Sequence, residues 1–319
     1  GANTETVRIR VRVKKVPVNV TGIHAEVSDG GDFICGENTM QITLRQDRAS
    51  KHTVLYLISR KGETIWTRDL GAVSMGKHRS VTWNGKDDQG SAYEGEFRLK
   101  VVADGYTTRN WHYYQCYAKS PFLRGTGTRE KPYEVSTAGH LERMAEFPSR
   151  HFIQVQDIDL RSDIISNIFS EKQPFMGSYT GMPQQEEYRI LNYNGNTSLF
   201  GVIGVEGELD HVIVSDARIT GTGQKRSSVL TEVNQGMIMN CAIERAVIYS
   251  ASATDAALLS VENSGVIDRC RAHGSVYTYG NMAGGSVYND QRMIRTKVEA
   301  ELNLSAADQV TGGEELYVG

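Results

Sequence analysis

The sequence predicts an all-β protein in two parts, an antiparallel sandwich followed by a β-solenoid. Three observations predict it: apolar alternation at period two in the first third, an internal repeat of roughly 26–29 residues in the last two-thirds, and almost no helical periodicity. A chain of 319 residues suits about two domains. Its 32 glycines exceed the usual share of about 7% while its 6 prolines fall short of about 5%, which excludes collagen-like or Pro-rich disorder and points to a turn-rich folded chain.

The first strand is expected at the start. Val7, Ile9, Val11 and Val13 alternate with Arg8, Arg10, Arg12 and Lys14, the pattern of a half-buried strand. Similar runs follow at Met40–Leu44, Thr53–Ile58, Ser80–Trp83 and Phe97–Val102. Turn residues separate them, at Asp29–Asp32, Arg60–Gly62, Asn84–Gly85 and Asp88–Gly90. Short strands at this spacing, with no long helix between them, argue for an antiparallel sandwich.

The stretch from Ser80 to Val101, SVTWNGKDDQGSAYEGEFRLKV, is the most specific in this half. Asn84-Gly85 can supply the positive φ of a tight turn, and Gly90 and Gly95 punctuate the way to the next strand. It resembles the FlgD-like immunoglobulin family, the Ig-like domain of the flagellar hook-capping protein, through Trp83, Asn84, Gly85, Asp87, Gly90, Gly95 and Phe97. The resemblance covers Cys35 to Thr108 and implies an immunoglobulin-like β-sandwich of the accessory kind found in secreted proteins, with no flagellar role. The run Asn84–Gly90 lacks the D-x-[DN]-x-[DN]-G frame and the twelfth-position Glu of a calcium loop, so turn chemistry is the reading.

Three segments align without gaps in the second part: GELDHVIVSDARITG from Gly207, GMIMNCAIERAVIYS from Gly236 and GVIDRCRAHGSVYTY from Gly265, with equal spacing between their starts. A weaker copy, QRMIRTKVEAELNLS, begins near Gln291 after a slightly shorter step. Apolar columns run through Leu209, Ile238, Ile267 and Met293, then through Val212, Cys241, Cys270 and Thr296. Ile219, Ile248, Tyr277 and Asn303 form a third, less regular column. A lead-in recurs as LFGVIGVEG, LTEVNQG and LSVENSG. Short alternating strands at such a period fit a solenoid whose coils stack about 4.8 Å apart, each burying its inner face on the next. The leucine-rich-repeat frame of comparable length is absent.

From Gly125 onward the chain resembles the GLUG-motif β-helix proteins of bacterial surfaces, which also occur in some immunoglobulin A peptidases. The opening GTGTREKPYEVSTAGHLERMAEFPSRHFIQVQDIDL carries the match, with FMGSYTG and SLFGVIG as later steps. The family's G-L-[VI]-G step is worn to Ala283–Val287. The resemblance implies a right-handed parallel β-helix and a source among Bacteroidetes-type anaerobes. Thr137 is expected to N-cap a short helix whose Leu141, Met144 and Ala145 cover the open end of the first coil. The expected division is an Ig-like sandwich over 1–118, a linker over 119–129 and the β-helix over 130–319.

Carboxylates come first among candidate chemistry, because parallel β-helices often host polysaccharide lyases and glycosidases. Asp157, Asp159 and Asp163 cluster, and Asp210 and Asp268 share a repeat column two coils apart, about 9–10 Å in a regular stack. Glycosidases place two carboxyls about 5–9.5 Å apart and raise the pKa of one. Met239 interrupts the Asp210–Asp268 column, and turn roles suffice for the other acids. The 8 histidines are scattered, and the 4 cysteines form no ligand spacing with them or with each other, so no metal site, cofactor or catalytic residue is assigned. The peptidase activity of some GLUG proteins is not carried over, since its metal-binding segment has no counterpart. Cys241 and Cys270 are expected as stacked thiols on adjacent coils, whereas Cys35 and Cys116 could pair or stay reduced.

Two surfaces could bind ligands. The Arg8, Arg10, Arg12 and Lys14 face could meet an acidic glycan, although charged outer faces also protect sheets from edge pairing. Trp111 and Tyr113 in NWHYYQCY offer platforms for sugar stacking, against which packing at the domain junction weighs more. With a net charge of −3, no bulk electrostatic argument favours nucleic acid, and no apolar run approaches the roughly 20 residues of a membrane span. A signal segment or lipid anchor would lie outside this sequence. The expected function is that of a non-catalytic exported or cell-surface protein, adhesin-like, binding host or microbial glycan or surface protein along the β-helix face, with Asp210 and Asp268 on that face. A carbohydrate-active enzyme on the same scaffold and a structural spacer are the alternatives.

Overall fold

A computed structural model of the chain describes residues 16–221, 226–250, 254–290, 292–304 and 313–318. The chain is mostly β, with an Ig-like N-terminal domain and a C-terminal β-solenoid of about 5 turns. It divides into two units, Gly1–Lys119 and Ser120–Gly319.

In the first unit, Val20–Val27, Met40–Gln46 and His78–Trp83 form a three-stranded antiparallel sheet. The second sheet holds Thr64–Val73, Ser50–Ser59, Gly95–Ala103 and Tyr106–Arg109 in that order, and Tyr114–Cys116 also pairs with Gly95–Ala103. All four expected strands after residue 15 are present, each a few residues longer than its apolar alternation. The expected strand over Val7–Val13 lies outside the described residues. Alternation missed Thr64–Val73 because that strand is bulged against Ser50–Ser59, which breaks its period.

Trp83 anchors the sandwich core. It is buried between Phe33 and Phe97, at centroid distances of 5.1 and 4.9 Å, and its Nε1 donates to the Lys86 carbonyl at 2.7 Å. The tight turn after it needs glycine. Gly85 has φ +86°, and a Cβ there would lie 2.8 Å from Cys35 Cβ. Asp87 Oδ1 accepts the Gln89 and Ser91 amides at 2.9 and 2.8 Å, so this acid serves the turn, as the spacing predicts.

The second unit is a parallel β-solenoid. Its first sheet stacks Tyr133–Val135, His151–Gln154, Ser178–Thr180, Glu208–Asp210, Met237–Met239, Val266–Asp268 and Arg292–Ile294. The register aligns Tyr133, Phe152, Tyr179, Leu209, Ile238, Ile267 and Met293 in one inward column, which contains the first column expected from the sequence. The second sheet aligns Ile158, Ile190, Val214, Ile243, Ala272 and Val298. A third stacks the lead-in segments Gly201–Ile203, Thr231–Asn234, Ser260–Asn263 and Ser286–Asn289. A small sheet of Arg226–Ser228, Asp255–Ala257 and Met282–Ala283 completes the coil.

The third expected column is corrected by the register. Ile248 pairs with Val276 and Tyr249 with Tyr277, so Val276, not Tyr277, lies beneath Ile248 in the core. The cause is a bulge: Glu244 and Arg245 stand opposite the single residue His273, and gapless alignment slips by one beyond it. A shorter turn between Val276 and Met282 accounts for the remaining contraction of the last repeat.

The N-terminal end of the solenoid is closed as expected. Thr137 caps the helix Ala138–Arg143, its Oγ1 accepting the His140 amide at 3.1 Å, and Leu141 and Met144 are buried beneath it. Ala145 is only partly buried. Phe122, in the segment assigned as linker, lies against Tyr133 at 4.5 Å and against Phe147 at 5.5 Å. The end of the core is thus a cluster of rings, giving way to aliphatic side chains further along.

Two devices hold the coils in register. The first three repeats begin on a glycine because the backbone of the preceding coil leaves no room for a side chain. A Cβ on Gly236 would sit 2.2 Å from the Gly207 carbonyl oxygen, and one on Gly265 would sit 2.2 Å from that of Gly236. At the corner after the third sheet, Asn234 Nδ2 donates to Asn263 Oδ1 at 2.7 Å, and Asn263 Nδ2 donates to Asn289 Oδ1 at 2.7 Å. This asparagine ladder satisfies buried amides coil to coil.

Candidate functional site

The outward residues of the second solenoid sheet form a charged ladder. Arg189, Glu244, Arg271 and Lys297 come from four strands of that sheet, with Ile213–Ser215 between the first two, and each flanks a residue of the inward apolar column. The Glu244 carboxylate lies 3.7 Å from Arg189 Nε and 3.2 Å from Arg271 Nη2, and accepts Ser215 Oγ at 2.8 Å. Partial burial works against its charge, but these donors together hold its carboxyl below the usual carboxylate range. Lys297 pairs with Glu299 and depresses that carboxyl too. One coil down, Arg245 grips Asp216 with two hydrogen bonds of 2.7 Å.

The bulge opens this ladder into a groove of about 310 Å³, floored by Ile243 and Ala272 and walled by Glu244, Arg245, Arg271, His273, Lys297 and Glu299. Sequence reasoning passed over these residues because it followed apolar columns alone. The outward columns of the same alignment would have shown them: Arg271 and Lys297 recur at the same step as Ile267 and Met293.

Of the acids singled out from the sequence, Asp157, Asp159, Asp210 and Asp268 are engaged in the scaffold, and Asp163 is exposed. The register places Asp210, Met239 and Asp268 in one column, as expected. Asp268 is held by Arg295 through two hydrogen bonds, of 2.9 and 2.5 Å, which draw its carboxyl below the ordinary range. Asp210 accepts Asn240 Nδ2 at 2.8 Å and lies 2.9 Å from His211 Nδ1. Asp157 accepts the Arg189 amide at 2.8 Å. Asp159 accepts Asn192 Nδ2 at 2.9 Å and the Arg161 amide at 3.0 Å, bonds that lower its pKa. These acids tie turns to neighbouring coils. Among the described residues no group of three or more His, Cys, Asp or Glu side chains is arranged to hold a metal ion.

The two binding candidates of the first unit fare differently. Arg8, Arg10 and Arg12 lie outside the described residues. Trp111 is 85% exposed, whereas Tyr113 is half-buried, with the guanidinium carbons of Arg60 and Arg98 at 5.7 and 5.5 Å from its ring centre. Tyr114 instead stacks on Phe97 at 5.6 Å and belongs to the core.

The four cysteines are free thiols. Cys241 and Cys270 stack in the solenoid core, and burial raises the Cys241 pKa well above its ordinary value. Burial, with Cys35 as a neighbour, pushes the Cys116 thiol up to about 12.

With this geometry in place, the first unit can be set beside known proteins. Residues 31–106 match the FlgD Ig-like domain family. The boundaries fall within a few residues of the stretch that carries the sequence resemblance, and Trp83, Gly85 and Phe97 are the residues that pack its core and turn. A solved structure of FlgD from P. aeruginosa is 22% identical, covering 29% of this chain and 70% of that one at a TM-score of 0.22. A protein of Evansella cellulosilytica, provisionally named a Gly-rich membrane protein, is 33% identical over 140 residues. That alignment takes in 39% of this chain and spans 16% of the relative's length. Among the described residues no helix is long and apolar enough to cross a membrane.

Proposed function

We propose that this chain is a non-catalytic, exported or cell-surface protein that engages a glycan or protein partner along the β-helix face, in the manner of an adhesin. The observation that carries this reading is the set of charged side chains at the bulge groove, Glu244, Arg271, Lys297 and Glu299, with Arg189 beside Glu244. A rigid, periodic, charged and shallow surface suits an extended partner lying across several coils. The opening motif from Gly125 to Leu160 supports a place among the GLUG-type β-helices of bacterial surfaces. The FlgD-type domain and the membrane-protein name of the Evansella relative support an extracellular setting. An enzyme would need a carboxyl raised above its ordinary range in a cleft. The Arg295 clamp on Asp268 works in the opposite direction.

A glycan-array screen of the purified chain, run with a product-release assay on the same polysaccharides, tests the reading. Binding without released product is expected, and it should fall when Arg271→Gln and Lys297→Gln are combined. Released oligosaccharide would establish the enzyme instead, and silence in both assays would leave a protein partner or a spacer role.

A further inference from the structure

We propose that the outer face of the five-stranded sheet in the sandwich is a second docking surface, and that its ligand is a carboxylate-bearing polysaccharide. The inference does not rest on the solenoid reading, since every residue it uses lies in the other unit. Four cations share that face. Arg98 and Lys100 project outward from Gly95–Ala103, where Phe97, Leu99 and Val101 point inward. The register sets Arg109 beside Lys100, and Arg60, just past the end of the neighbouring strand Ser50–Ser59, pairs with Glu96. Glu96 is the acid within this group, and Asp69, further along the sheet, is already paired with His52 at 3.1 Å.

Aromatic rings pre-order three of these cations. Tyr113 has the Arg60 and Arg98 guanidiniums at 5.7 and 5.5 Å from its centre, and Lys100 Nζ lies 4.9 Å from the centre of Tyr56. Held this way, the side chains lose less freedom when a ligand arrives. Arg98 Nε is shielded from solvent and has no hydrogen-bond partner among the described residues. Guanidiniums gathered on one sheet face suit carboxylates, which a guanidinium fork binds with two parallel hydrogen bonds. Trp111, two residues before Tyr113 and 85% exposed, supplies a ring for the apolar face of a sugar. Cations and a free indole together favour an acidic glycan over a neutral one.

The test is retention of the full chain on immobilised polygalacturonate, with dextran, dextran sulfate and single-stranded DNA as comparison columns. The chain should bind polygalacturonate at about 50 mM salt and elute by about 500 mM, since the contacts are ionic. Combining Arg98→Gln, Lys100→Gln and Arg109→Gln should weaken binding about tenfold or more. The pair Lys100→Gln and Arg109→Gln, which spares the partly buried Arg98, should show the same direction with an unchanged melting curve. Trp111→Ala should weaken binding about threefold, and the solenoid pair Arg271→Gln and Lys297→Gln should leave it intact. No retention of the native chain, full retention of the Lys100/Arg109 variant, or stronger retention on dextran sulfate or DNA would overturn the proposal.

Discussion

Single residues in this protein are constrained most where backbones meet. Gly236 illustrates it: a methyl group there would have to displace the Gly207 carbonyl, which itself accepts the Met237 amide at 2.9 Å. Gly236→Ala should therefore cost about 1–3 kcal/mol, the usual scale of overpacking, read as a lower urea midpoint for the solenoid. Asp268 contributes through charge. Its folded-state pKa is below the ordinary value, so its stabilisation is complete above about pH 4 and is lost as pH falls through the lowered value. The difference in melting temperature between the native chain and Asp268→Asn should be widest near neutrality and close as pH falls below about 4 through the lowered value. A gap that persisted in acid would show that the carboxylate charge is not what Arg295 requires.

The strands and corners of the solenoid are stabilised by repetition. Asn263 is the middle member of the ladder, so Asn263→Ala removes a partner from the buried Asn234 Nδ2 and from the exposed Asn289 Oδ1 at once. A loss of about 1 kcal/mol is expected, since Asn234 Nδ2 keeps the Val266 carbonyl and Asn289 reaches solvent, and hydrogen exchange should rise most in Thr231–Asn234 and Ser286–Asn289. The capping helix is short and gains its stability from Leu141 and Met144 beneath it, with Thr137 satisfying one terminal amide. Thr137→Ala should cost about 1 kcal/mol. Both the helix and its cap were legible from a threonine followed by apolar residues at helical spacing. The ladder was not read, because LTEVNQG and LSVENSG show a recurring asparagine but not that its side chain turns inward.

The molecule as a whole joins two units with separate cores, and its tryptophans report on one of them. Trp66, Trp83 and Trp111 all lie in Gly1–Lys119. Far-ultraviolet circular dichroism follows strands in both units. Gly236→Ala should shift the dichroism transition to lower temperature while leaving the tryptophan fluorescence transition in place. A matching shift in both signals would mean that the units unfold as one cooperative body.

The sequence alone determined the fold class and both architectures, because alternation and repetition are local patterns that burial imposes directly on residue order. It showed the Trp83–Gly85 turn, the helix cap, the glycine at the head of the first three repeats and the Leu209 column for the same reason. It could not locate the bulge at Glu244 and Arg245, since one extra residue in a strand leaves no mark until a neighbouring coil is laid against it. The displaced core position at Val276, the groove and the ladder from Arg189 to Glu299 all follow from that packing. So does the gathering of Arg60, Arg98, Lys100 and Arg109 on one sheet face. Which charges become neighbours is set by strand register, and register is a property of the folded stack.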